Sequence, residues 1–300
     1  GCERFSFYGM KSILQVHLTA LFVMSGAGSD ALAEQSAQAT VHLFIAGVYA
    51  FPMIGAIWAD RILGKYRTII ALSLVYCAGH AVLAVADDTL EGMYLGLGLI
   101  ALGSGGIKPC VSAHVGDQFG AGNWHLVSKV FQAFYFIINF GSFFSTILIP
   151  WTREAFGASV AFGIPGILML IATIFFWMGR KVFIHVPGKP AGKLGLLDAL
   201  SSSLLFLGVI GFPMFFTEIL STEFLWAAMI GSTVGGIIVF NQRQRMEEDD
   251  GFLAVLLYSL QKRLGRSDEG GKSSAHSNRW LFGPAAGRYS DEVIEGPVAV

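Results

Sequence analysis

Four charged side chains fall within apolar stretches long enough to cross a membrane: Glu3, Arg4, Lys11 and Lys108. A charge at mid-membrane costs about 2.5–3.5 kcal/mol on the insertion scale, so each needs a partner, water or a task. Lys108 is the sharpest case. It sits deep in an apolar run, in Gly103-Ser104-Gly105-Gly106-Ile107-Lys108-Pro109. The plainer alternative is a lysine near a helix end whose stem snorkels to water. Helical spacing gathers further polar residues into stripes. They are Arg4, Tyr8 and Lys11; His42 and Tyr49; Ser104, Lys108 and Ser112; and Gln132, Tyr135, Asn139 and Ser142. One such stripe alone reads as interhelical hydrogen-bond glue. Four stripes together with intramembrane cations point instead to helices around a wet cavity. In that cavity Arg4, Lys11 and Lys108 can hold a carboxylate. Tyr8, Tyr49, Tyr135 and Asn139 can hydrogen-bond amide groups. Excess cations suit an anionic or zwitterionic solute, and Glu3 with Lys108 offers a proton switch, because protonating a carboxylate frees its cation partner.

These residues must be positioned by membrane helices. Of the 300 residues 54% are hydrophobic and only 14% charged, with a mean hydropathy of +0.60. A soluble domain carries about 25% charged residues, so the composition describes an integral membrane protein. The net charge of −1 argues against a nucleic-acid partner, which would need a basic stripe. Cys2, Cys77 and Cys110 are too few and too scattered for a disulfide framework or a zinc site. No metal or organic cofactor is expected, and no signal peptide is visible.

A membrane helix needs about 20 mostly apolar residues. Six strong spans are predicted near 5–26, 40–60, 67–86, 92–114, 128–150 and 158–180. Two weaker ones follow at 196–216 and 224–242, opened by Ser202 or Asp198 and by Thr222. The acidic run 247–250 opens a short amphipathic stretch, 252–264, and 265–291 reads as a loop. The expected organisation is a transmembrane six-helix bundle at 1–180, a helical hairpin at 194–243 and a cytoplasmic connector at 244–300. The first residue, Gly1, and the apolar ending Pro297-Val298-Ala299-Val300 read as the limits of an internal fragment. The loops after spans 2, 4 and 6 hold Arg61, Lys65, Arg67, Lys129, Arg180, Lys181, Lys189 and Lys193, whereas the other side holds Arg153. The positive-inside rule then puts the N-terminus in the cytoplasm and the chain in the cell (inner) membrane as a multi-pass protein.

Several motifs carry a resemblance. Gly55-Ala-Ile-Trp-Ala-Asp60-Arg61-Ile-Leu-Gly64-Lys65-Tyr66-Arg67 resembles the cytoplasmic loop motif of the major facilitator superfamily. Glu3-Arg4-Phe5-Ser6-Phe7-Tyr8-Gly9 resembles the first-helix signature of the proton-dependent oligopeptide transporters. The segment from Gly103 to Phe119 is similar to their fourth-helix signature, and Phe134-Tyr135-Phe-Ile-Ile-Asn139-Phe-Gly141-Ser142 to their fifth. The pair at 196–242 resembles the extra helices that bacterial members insert between two halves.

The resemblance implies the N-terminal half of a major-facilitator fold and proton-coupled symport of di- and tripeptides by alternating access. It implies proton coupling through Glu3, Arg4 and Lys108. It implies peptide contacts from Arg4, Tyr8, Lys11, Tyr49, Lys108, Tyr135 and Asn139. His42 falls where some members carry a histidine discussed as a proton site; a satisfied packing histidine is the equal alternative. His17, His80 and His114 read as packing residues. Asp60, Arg61, Gly64 and Lys65 would form a gate-stabilising loop. Three departures stand out. A further glutamate of the first-helix motif would precede Gly1. Phe7 replaces a tyrosine and removes a hydroxyl. Lys11 stands where many members have arginine, which keeps the charge but loses the bidentate fork.

Other function classes stay open at this point. A same-fold transporter of another small anion, such as nitrate, would suit the same cations. A non-transporting membrane sensor would share the fold. An enzyme has little support, since no zincin motif, Gly-x-Ser-x-Gly or pair of catalytic acids at usable spacing is present. The glycine-rich run 96–106 lacks the preceding strand and the Gly-Lys-Ser/Thr of a nucleotide loop.

Overall fold

A computed structural model describes residues 1–190, 192–210, 221–246 and Ser259. The chain divides into two compact units, Gly1–Phe240 and Asn241–Val300. The expected amphipathic stretch 252–264, the loop 265–291 and nearly all of the 244–300 connector lie outside the described residues.

The described residues form helices and the connections between them, with no strand among them. The helices are α1 (Cys2–Met24), α2 (Asp30–Trp58), α3 (Lys65–Val85), α4 (Leu90–Gly116), α5 (Val127–Phe156), α6 (Ala158–Met178), α7 (Gly192–Ile210) and α8 (Thr222–Gln244). All eight are long and apolar enough to cross a membrane. A 21-residue helix such as α3 rises about 32 Å at 1.5 Å per residue, which matches a hydrocarbon core of about 30 Å. The result is an all-α membrane protein: a six-helix bundle followed by a two-helix pair.

Polar caps set the helix starts and correct several expected boundaries. Ser29 accepts from the Leu32 amide at 3.3 Å, so α2 begins at Asp30, well before the apolar run near residue 40. Thr89 accepts from the Gly92 amide at 3.2 Å and opens α4. Asp198 and Ser202 do not open α7, which already begins at Gly192. Ser221, not Thr222, caps α8, accepting from the Phe224 amide at 3.4 Å. The 211–216 end of the seventh expected span lies outside the described residues.

The core is built where α1, α2, α3, α4 and α6 meet, around Phe7, Met10, Leu14, Val48, Tyr76, Leu83, Ile100 and Phe162. The bundle's tightest contacts depend on glycine. A Cβ at Gly55 of α2 would lie 2.6 Å from the Gly106 Cα of α4. A Cβ at Gly103 would lie 2.7 Å from the Tyr76 amide nitrogen of α3. Small residues at such positions let membrane helices pack backbone to backbone. The motif 103–106 is therefore a packing surface that sets α4 against α2 and α3, one turn before Lys108.

Candidate functional site

Lys108 occupies the turn below that glycine surface, just before the in-helix Pro109. Its ammonium lies 4.6 Å from the ring centroid of Phe7 on α1 and 5.1 Å from that of Tyr49 on α2. Cation–π attraction of this kind is worth about 0.5–2 kcal/mol, more when desolvated. It does not replace a hydrogen bond, and the buried Lys108 Nζ makes none in the structure. Glu3 and Arg4 on α1 are the charged groups that act on it electrostatically. They pair with each other, Arg4 Nε to Glu3 Oε2, at 3.3 Å. The second carboxylate oxygen, Glu3 Oε1, is buried without a hydrogen-bond partner. Three helices thus bring Glu3, Arg4, Phe7, Tyr49 and Lys108 into one membrane-depth cluster. An ammonium without an anion and a half-satisfied carboxylate leave capacity to bind a carboxylate or to exchange a proton.

The other expected residues surround this cluster with graded exposure. Tyr8 is partly buried and packs edge-on to Phe7, 5.2 Å between centroids. Lys11, His42, Tyr49, Tyr135 and Asn139 are exposed. The exposure of His42 contrasts with His17 and His80, which are buried. His17 Nε2 lies 2.7 Å from the Asp87 carbonyl, and His80 Nδ1 3.2 Å from that of Phe162.

Stripe residues on α4 and α5 hydrogen-bond within their own helices rather than across helices. Ser104 and Ser112 donate to the Ala101 and Pro109 carbonyls. Asn139 and Ser142 donate to those of Tyr135 and Ile138. Gln132 donates to Ser128. These pairs are local, so the glue alternative is not what orders these stripes.

The loop motif forms a second polar centre. Residues Ala59–Leu63 make a π-helical turn, and Gly64 follows at φ +77°, a left-handed conformation that favours glycine. Lys65 donates to both carboxylate oxygens of Asp117, at 3.0 and 2.9 Å, tying the start of α3 to the end of α4. Arg61 pairs with Asp198 of α7 at 3.4 Å. Asp60 acts through its backbone, its carbonyl accepting from the Lys189 amide at 2.8 Å, while its side chain is exposed. The loop motif is therefore clasped by Asp117 and Asp198. Neither stood among the expected site residues, although Asp117 closes the fourth-helix signature. Phe7 was also read only as a lost hydroxyl, whereas its ring faces the Lys108 cation.

Comparison with known proteins bears on the fold and the family. Residues 66–194 match the POT family. The chain is 44% identical over 208 residues to Peptide transporter family 1 of Drosophila melanogaster, a match covering 64% of this chain and 26% of that protein. It is 39% identical over 207 residues to human Solute carrier family 15 member 2, covering 64% of this chain and 27% of that one. Among solved structures it is similar to the POT family transporter PepTSo, with a TM-score of 0.64 and 40% identity, over 88% of this chain and 55% of that chain. It thus spans about a quarter of the length of these curated relatives and about half of the solved transporter. The eight apolar helices, the matched segment and the relatives all converge on the POT family, which the chain resembles over the residues matched.

Proposed function

We propose that this chain supplies the N-terminal half of a proton-coupled symporter of di- and tripeptides working by alternating access. The observation that carries the reading is the buried, unpartnered Lys108 ammonium beside the Glu3–Arg4 pair. A peptide carboxylate fits between Arg4, Lys11 and Lys108, with Tyr8, Tyr49, Tyr135 and Asn139 available to its amide groups. His42 is an exposed candidate for a further proton site. In the proposed cycle an acid, Glu3 or a carboxylate of the other half, protonates on the outer side. The peptide then binds and the two halves rock. Deprotonation on the inner side re-forms the acid–Lys108 pair and expels the peptide. The membrane potential supplies about 2.3 kcal/mol per charge per 100 mV, in addition to the pH gradient. Clasped by Asp117 and Asp198, the Asp60–Lys65 loop would hold the cytoplasmic end of this half together as it moves. The site is the cell (inner) membrane, with the N-terminus cytoplasmic.

The test is dialanine uptake into proteoliposomes by the protein extended to the length of its relatives, under an inward proton gradient. Uptake is expected to need the gradient and to fall at least tenfold in Lys108→Ala. Undiminished gradient-driven uptake by that variant would overturn the assigned role of Lys108. A second reading rests on the excess of Arg4, Lys11 and Lys108 over Glu3, which also suits a small inorganic anion. Unlabelled dipeptides should compete with labelled dialanine and nitrate should not; the reverse favours the anion transporter.

A further inference from the structure

The ring of Phe7 meets a charge where packing alone would be served by any apolar side chain. It is 2% exposed, and two neighbours fix its orientation. Tyr8 stands edge-on to it at 5.2 Å between centroids, and Phe44 of α2 lies tilted against it at 6.1 Å. Held in this way, the ring lies under the Lys108 ammonium, 4.6 Å from Nζ to the centroid. The Tyr49 ring is 5.1 Å from the same ammonium but is itself 64% exposed. Both distances fall within the roughly 6 Å over which a ring face attracts a cation. The buried ammonium makes no hydrogen bond, and the Glu3 carboxylate is engaged by Arg4. A leucine at position 7 would fill much of the same space and offer the cation nothing.

We propose that Phe7 is a positioning residue for Lys108, whose ring face holds the ammonium in reserve while the site is empty and yields it to the carboxylate of an arriving peptide. The relative strengths allow this exchange. A cation–π contact is weaker than a charge-assisted hydrogen bond to a carboxylate, so the ring can hold the cation without keeping it. The two rings differ in what they can do. Tyr49, being exposed, can turn to a peptide, whereas Phe7 is locked by Tyr8 and Phe44 and remains the fixed hold. The hold stabilises the empty site and therefore opposes peptide binding. Weakening it must tighten binding, the reverse of what damaged packing would do. The identity of the carboxylate rests on the symporter reading; the ring–ammonium contact does not.

Two measurements test it, and the first needs no transport. In the protein extended to the length of its relatives, Phe7 is replaced by its mono-, di- and trifluorinated analogues. Each fluorine drains charge from the ring face while nearly keeping the ring's shape. The thermal unfolding temperature is expected to fall with each added fluorine, and to lose most of that trend in the Lys108→Leu background. Equal trends in both backgrounds, or no trend in either, would overturn the contact. The second measurement is a saturation curve for gradient-driven dialanine uptake across the same series. The KM is expected to fall about threefold from phenylalanine to the trifluorinated ring. A purely structural role would raise KM or lower the maximal rate and would not lower KM. A KM that rises or stays level would overturn the reserve role. If the unsubstituted protein moves no dialanine, the symporter reading fails, while the unfolding series still decides the Phe7–Lys108 contact.

Discussion

Lys11 and Lys108 carry the same charge but sit in different surroundings, and the difference predicts different kinetic faults. Lys108 is half-buried among Phe7, Tyr49 and the Glu3–Arg4 pair, so on the symporter reading its loss disturbs the groups proposed to couple protons. Lys11 is exposed two turns along α1 from Arg4. On the symporter reading it attracts the peptide carboxylate in ground state and transition state alike. Removing such uniform binding raises KM without lowering the maximal rate. Lys11→Ala should raise the KM for dialanine about three- to tenfold at unchanged maximal uptake. Lys11→Arg should lower it, because the guanidinium fork meets a carboxylate with two parallel hydrogen bonds. Saturation curves at fixed proton gradient check both; a fall in maximal rate for Lys11→Ala would place this lysine in the coupling step instead.

Helix contacts make glycine positions unequal in a way that sequence alone does not rank. A Cβ on Gly55 would meet the Gly106 Cα at 2.6 Å and its nitrogen at 2.7 Å, and backbone cannot swing aside. Gly98, one of the glycines in the same α4 run, has nothing within 4 Å of the corresponding point. Overpacking costs about 1–3 kcal/mol. Gly55→Ala should therefore lower the thermal unfolding temperature in detergent, whereas Gly98→Ala should leave it unchanged or raise it slightly, as alanine favours helix. Equal tolerance at both would show that α2 and α4 separate freely. The helices themselves were legible because each has a long apolar run. Their starts were less so. The first turns of α2 carry Asp30, Glu34 and Gln35, so hydropathy begins late, while the Ser29 cap begins the helix early. Long-range partners were illegible for a different reason. Lys65 and Asp117 are 52 positions apart, and nothing local tells that the start of α3 meets the end of α4. Motif spacing brought Glu3, Arg4 and Lys108 into view as members of one site. The Phe7 ring against Lys108 and the buried Tyr76 hydroxyl emerge only when the helices pack.

For the molecule as a whole, the eight basic residues at or beside the α2–α3, α4–α5 and α6–α7 connections predict an orientation, and two ion pairs gather at the same end. Lys65–Asp117 and Arg61–Asp198 bind together the α2–α3 loop, the end of α4 and α7. The Lys189 amide adds the linker before α7 to the same end. If that end is cytoplasmic, as the excess of lysine and arginine predicts, the α3–α4 loop faces outward. The prediction can be read with single cysteines after Cys2, Cys77 and Cys110 are replaced by alanine. Asp88 lies exposed between α3 and α4, and Lys189 lies exposed between α6 and α7. In intact cells a membrane-impermeant maleimide should label Asp88→Cys at once and Lys189→Cys only after permeabilisation. The Lys189 substitution keeps the amide that bonds Asp60, so the loop it reports on stays closed. The opposite labelling pattern would invert the chain. It would put the clasped Asp60–Lys65 loop on the outer surface, and on the symporter reading the proton would then be taken up on the side where Asp117 and Asp198 hold that loop.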